Sequence, residues 1–168
     1  VFITTDAGRL HRAKDADLLQ AITDESILQL APEQYRDPEG YWLGLSVRVR
    51  AIIYSDERVK ASELSSYENL ADPMWKKRIC VRSSNNIYNQ SLVASLIAHH
   101  GIDATQDWAN KFTANLARKP QGGDRDQIKA VAAGQCDIAI VNSYYFGNML
   151  VANEEDEKAA AAKVKLFW

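Results

Sequence analysis

Two adjacent tyrosines, Tyr144 and Tyr145, follow the run Cys136-Asp137-Ile138-Ala139-Ile140-Val141-Asn142-Ser143. Its β-branched centre predicts a short buried strand that delivers both phenols to its C-terminal end. A third tyrosine, Tyr88, follows a second such run, Ile79-Cys80-Val81-Arg82, after the polar turn Ser83-Ser84-Asn85-Asn86. Ligands of open α/β sheets collect outside the carboxyl ends of the strands, so three phenol groups are expected to converge there. A phenol ionises near pH ~10 in water. A bound trivalent cation favours the phenolate, as metals do for other acidic ligands. Three phenolates would balance a hard trivalent ion such as ferric iron, leaving the other coordination positions to water or an anion. Arg48 or Arg82 could hold that anion by a bidentate contact.

Each of these residues also has a plainer reading. A tyrosine pair after a strand commonly packs its rings and leaves its hydroxyls at the surface. Arg48 and Arg50 alternate with Val47 and Val49 and read as the solvated face of a strand. Asp6 reads as a helix cap. His99 and His100 stand at a helix C-terminus, where a solvated imidazole suits the dipole, and His11 lies in a polar stretch. Gly122-Gly123-Asp124 lacks the Lys and Ser/Thr of a phosphate loop and reads as a turn before a helix.

Elements that would position the tyrosines can be traced along the chain. Strand-like and helix-like segments alternate, the pattern of an α/β domain. Residues 1–5 read as an opening strand, 7–16 as a helix capped by Asp6, and 24–28 as a short amphipathic piece. Asp37-Pro38-Glu39-Gly40 is a turn signal. Residues 41–54 read as one long strand, half exposed at first and buried at its end, long enough to cross between two lobes. A short helix over 60–70 and a strand over 79–82 follow. The next helix is capped by Ser84 or Asn85, carries Leu92, Val93, Leu96 and Ile97 on its apolar face, and stops at Gly101. Asp103 or Thr105 opens another, with Trp108, Phe112 and Leu116 in one stripe. A helix over 125–133, the strand over 137–141, a helix over 154–163 and a closing strand complete the order.

Composition narrows the function classes. The 168 residues are 46% hydrophobic and 25% charged, enough apolar content for a sizeable core. A net charge of −2 makes no electrostatic case for nucleic acid or an anionic membrane. No apolar run reaches the ~18 residues that span a bilayer, so no membrane insertion is expected. No nucleophile elbow or metal-hydrolase motif occurs, and the expectation is a protein that is not an enzyme. Cys80 and Cys136 match no zinc spacing. At the starts of neighbouring parallel strands they would suit either a disulfide in an oxidising compartment or two buried thiols. The abrupt strand-like ends read as an internal fragment of a larger protein.

Four segments in order, Asp6-Ala7-Gly8-Arg9-Leu10, Ser46-Val47-Arg48-Val49-Arg50, Asn86-Ile87-Tyr88-Asn89-Gln90-Ser91 and Asn142-Ser143-Tyr144-Tyr145, carry a resemblance. The chain resembles bacterial periplasmic ferric-iron-binding proteins, the substrate-binding components of iron(III) ABC transporters. That resemblance implies an α/β fold of the type II periplasmic-binding class, here one complete lobe plus part of the other. The expected division is 1–46 in the first lobe, 47–54 as the crossing strand, 55–163 as the second lobe and 164–168 as a return strand. It also implies Tyr88, Tyr144 and Tyr145 as iron ligands in an interlobe cleft, and Ser84, Asn142 and Arg48 as contacts to a synergistic anion such as carbonate. The implied partner is an inner-membrane ABC permease and the implied location the periplasm. Many relatives add a histidine ligand from a segment upstream of Val1. The alternative is a binding protein for another small ligand, such as a polyamine or an organic anion.

Overall fold

A computed structural model describes all residues from Val1 to Trp168. They form two compact units, Val1–Val47 and Arg48–Trp168.

The first unit is held mainly by caps and turns. Helix α1 (Ala7–Asp15) starts at Asp6, whose carboxylate accepts from the Gly8 N–H at 2.9 Å. Asp24 caps the single turn α2 (Glu25–Leu28) in the same way. The turn at residues 37–41 is built on the buried Asp37 carboxylate, which accepts from the backbone N–H groups of Glu39 and Tyr41 and from Lys14 Nζ at 3.0 Å. Gly40 closes it at φ +80°, a conformation that costs a residue with a Cβ. The unit has one isolated bridge, Arg36 to Leu43, and residues 1–5 form no strand.

The second unit is a four-stranded mixed sheet with helices on both faces. Strands β1 (Arg50–Tyr54), β2 (Ile79–Cys80), β3 (Ile138–Asn142) and β4 (Lys165–Phe167) stand in the order β2-β3-β1-β4. β2 runs parallel to β3, whereas β1 is antiparallel to both β3 and β4. Of the long run 41–54 only Arg50–Tyr54 is a strand. The segment 60–70, read as a helix, contains two 3₁₀ turns, Ala61–Glu63 and Glu68–Ala71.

Alternation along the strands divides the core. Ile53, Cys80, Ala139 and Val141 face one side, packed by Ile128 and Val131 of helix α5 (Asp124–Ala132), Met149 of α6 (Ser143–Leu150), and Ala160 and Ala161 of α7 (Glu155–Ala161). Ile52, Tyr54, Ile79, Ile138 and Ile140 face the other side, against Leu70, Trp75 and Phe112. Phe112 belongs to α4 (Ile102–Ala114), preceded by α3 (Ile87–His100). The α3 cap is Asn86 rather than Ser84 or Asn85, and α4 starts after Gly101 rather than at Asp103 or Thr105. With both faces covered, β3 is buried along its whole length.

Cys80 and Cys136 form a disulfide with a Cα–Cα distance of 5.8 Å. Of the two states open to them, the bonded one is present. The bond ties β2 to the entry of β3 within the first core layer.

Candidate metal centre

Strand direction decides what meets at one edge of the sheet. β2 and β3 are parallel, so both carboxyl ends point the same way. β1 is antiparallel to β3 with Arg50 opposite Asn142, which brings the start of β1 to that same edge. Two tyrosine-bearing segments and an arginine-bearing one therefore converge.

Tyr88 lies in the first turn of α3. The Asn86 side chain accepts from the Tyr88 N–H at 2.9 Å and fixes the helix start immediately after the polar turn. Tyr144 and Tyr145 lie in the first turn of α6, which begins directly after β3. The Ser143 N–H donates to the Val49 carbonyl at 2.9 Å, holding that start against the residue before β1.

The three phenols form one group. Tyr88 Oη stands 3.4 Å from Tyr144 Oη, and the Tyr144 and Tyr145 rings pack with centroids 4.4 Å apart. All three side chains are half-buried. Burial pushes the Tyr144 phenol well above its ordinary range, and hydrogen bonds with the Tyr145 and Tyr88 hydroxyls push it further, against a smaller opposite effect from Asn142. The Tyr144 oxygen therefore holds its proton more tightly than a free phenol does. Asn142 itself is buried, Arg48 is half-buried, and Ser84 lies exposed in the turn that precedes α3.

Positive charge gathers around Tyr88. The guanidinium carbons of Arg48, Arg50 and Arg82 lie 5.6, 5.9 and 5.2 Å from its ring centroid. One carboxylate answers two of these three cations, Arg50 and Arg82. Asp124, fully buried, accepts from Arg82 Nη1 at 3.0 Å, Arg50 Nη1 at 2.9 Å and the Asn142 N–H at 2.7 Å. Arg50 also reaches Asn142 Oδ1 at 3.0 Å and Asn89 Oδ1 at 2.7 Å, and its backbone carbonyl accepts from the Tyr67 hydroxyl. Three buried N–H positions have no partner: Arg48 Nη1, Arg50 Nε and Arg82 Nε. Unanswered cationic donors around the Tyr88 ring suit an anion.

The site thus brings together Tyr88, Tyr144, Tyr145, Arg48, Arg82 and Asn142, all singled out by sequence. Asp6 is a cap in the other unit. Arg50, Asn89 and Asp124 are additions. Arg50 read as part of a solvated face, yet its side chain is only 11% exposed. No group of three or more His, Cys, Asp and Glu residues is arranged to hold a metal ion.

The family of bacterial extracellular solute-binding proteins matches residues 1–168. Iron uptake protein A1 of Synechocystis is 45% identical over 168 residues, which cover all of this chain and 47% of that protein. Among solved structures, the FutA (IdiA) protein of Trichodesmium in complex with iron and citrate superposes with a TM-score of 0.93 at 48% identity, covering 96% of this chain and 51% of that one. Apo FutA2 of Synechocystis superposes with a TM-score of 0.94 at 44% identity, covering 97% and 52%. The chain spans about half the length of the relatives it matches. Its fold is that of the type II periplasmic-binding class. By the match along its whole length, the chain belongs to the family of bacterial extracellular solute-binding proteins.

Proposed function

We propose that the protein binds ferric iron at this sheet edge, with Tyr88, Tyr144 and Tyr145 as phenolate ligands, and hands the ion to an inner-membrane ABC permease. The observation that carries the reading is the single cluster of three phenols, two of them 3.4 Å apart, beside three guanidiniums, two of which share one carboxylate. Relatives named for iron uptake, and a neighbour holding iron and citrate, support it.

The chemistry follows from the charges. A trivalent ion displaces the phenol protons, including the one that burial and neighbouring hydroxyls hold on Tyr144. Three phenolates neutralise it, and the guanidiniums offset the negative charge that the oxygens carry as each proton leaves. A synergistic anion such as carbonate completes the coordination. Arg48, with its buried unpartnered Nη1, faces that anion, joined by Ser84 and Asn142. This proposed transport role involves no catalysis, and residues 55–163 form the core of the lobe that carries it.

The periplasm is the proposed location. The Cys80–Cys136 disulfide suits an oxidising compartment, and no helix is long and apolar enough to cross a membrane. Among other small ligands, a polyamine is disfavoured by the arginines, whereas an organic anion would suit Arg48. A titration with ferric nitrilotriacetate separates the readings. Iron binding should raise a visible phenolate-to-iron charge-transfer band, and Tyr144→Phe or Tyr88→Phe should weaken both band and affinity. Unchanged iron binding in either variant would refute ligation by the three tyrosines.

A further inference from the structure

Arg50 touches both tyrosine-bearing segments at once. Its Nη2 donates to Oδ1 of Asn89, the neighbour of Tyr88 in the first turn of α3, at 2.7 Å. Its Nη1 donates to Oδ1 of Asn142, the last residue of β3 before the tyrosine helix, at 3.0 Å. The same Nη1 is held by Asp124 at 2.9 Å, and Asp124 also accepts from the Asn142 N–H. Asn89 in turn donates to the Arg82 carbonyl at 3.1 Å and so braces the turn leading into α3. A guanidinium is a rigid planar fork, which fixes the distance between two acceptors in a way a flexible ammonium cannot.

We propose that Arg50 is a positioning residue that brackets the Tyr88 segment to the Tyr144–Tyr145 segment, with Asp124 as its anchor. The inference rests on the tyrosine reading above. Binding groups must be held to within about 0.5 Å to act as one set. The tyrosines are 56 residues apart in sequence, so their spacing depends on a tie of this kind. Arg50 ties the two segments through Asn89 and Asn142, and its guanidinium carbon lies 5.9 Å from the Tyr88 ring centroid.

The test uses the full-length protein titrated with ferric nitrilotriacetate. Arg50→Lys keeps a positive charge against Asp124 but cannot span both asparagines, and Asn89→Ala cuts only the link to α3. Both variants should shift the charge-transfer maximum at saturating iron and lower ferric affinity by about tenfold or more, the usual scale for groups that orient metal ligands. Arg78→Lys is the control. It disturbs the ion pair of Arg78 with Asp137 near the start of β3, and should lower the thermal midpoint while leaving band and affinity unchanged. The proposal is overturned if either Arg50→Lys or Asn89→Ala keeps the parent's band position and affinity, whatever its stability. If Arg50→Lys does not fold, Asn89→Ala decides by the same criterion. Tyr88→Phe separates the two levels. If it leaves band and affinity intact, the tyrosine reading fails and takes the bracket with it. If it abolishes the band while a bracket variant keeps it, the bracket alone fails.

Discussion

Replacing Asp124 by Asn should be among the costliest single changes in the second unit, and the hydrogen-bond geometry indicates the scale. Oδ1 accepts from Arg82, while Oδ2 accepts from Arg50 and from the Asn142 N–H. An amide has one oxygen. In its better orientation that oxygen keeps the two Oδ2 contacts, and the new –NH₂ then faces Arg82 Nη1, donor against donor, at the present 3.0 Å. Two guanidiniums, 11% and 14% exposed, lose the carboxylate they share. Breaking a buried ion pair by removing one partner costs about 3–5 kcal/mol. Asn keeps part of the network, so its cost should be about 3 kcal/mol, with Asp124→Ala nearer 5. Urea unfolding of the iron-free, full-length protein measures this. With a slope of about 2 kcal/mol per M, Asp124→Asn should lower the midpoint by about 1.5 M. Asp137→Asn is the comparison, because Asp137 also faces two arginines but those are 33% and 27% exposed. It should cost clearly less, since solvent replaces part of what is lost. A loss below about 1 kcal/mol for Asp124→Asn, or one no larger than that of Asp137→Asn, would refute the account of Asp124 as the buried anchor.

Three further outcomes are expected. Replacing both cysteines by Ser opens a disulfide whose ends are 56 residues apart, and chain entropy puts the loss at roughly 4 kcal/mol in denaturant unfolding. A value near zero would mean that the packing of β2 on β3 alone sets the unfolded-to-folded balance. The Tyr144 phenol is raised in the folded state by burial and by its neighbours' hydroxyls, so its proton is held more tightly folded than unfolded. Stability from this source is complete below the unfolded value of about 10 and falls as pH rises above it. Thermal midpoints measured between pH 8 and 11 should therefore decline less steeply in Tyr144→Phe than in the parent, and equal slopes would contradict the shift. Gly122→Ala should cost about 1–2 kcal/mol in thermal unfolding, because Gly122 has φ +64° and a Cβ there would lie 2.5 Å from Asp126 Oδ2. That oxygen caps the Gly123 N–H, so relieving the clash breaks the cap, and a neutral result would count against the strain.

Much of the scaffold was legible because its signals are local. Apolar runs bounded by polar turns marked β2 and β3, and Gly101 and Gly134 marked helix ends with positive φ. Misreadings arose where tertiary context overruled the pattern. Residues 1–5 are β-rich in composition, but a strand needs a ladder to join, and none is formed. Residues 60–70 carry Ser65-Ser66, whose side chains compete with helical hydrogen bonding, and resolve into two 3₁₀ turns. Helix α6 was not legible because β3 runs straight into Ser143–Leu150 with no turn residues between them.

The site divides along the same line. Tyr88, Tyr144 and Tyr145 were visible because they follow the ends of two strands, and parallel pairing of those strands is enough to bring them to one edge. Arg50 and Asp124 were not, because their place depends on register. Arg50 reaches Asn142 only through the antiparallel pairing of β1 with β3, which sets Ile52 and Tyr54 towards one core layer and Ile53 towards the other. A slip of one residue would turn every side chain of β1 to the opposite face and move Arg50 out of reach of Asn89 and Asp124. Both faces of the sheet are apolar, so the hydropathy of residues 50–54 does not itself say which way Arg50 points. Burial of Ile53 and Ile52 in two differently shaped layers makes that choice. The same packing that stabilises the lobe thereby aims the cation that holds the tyrosine segments together.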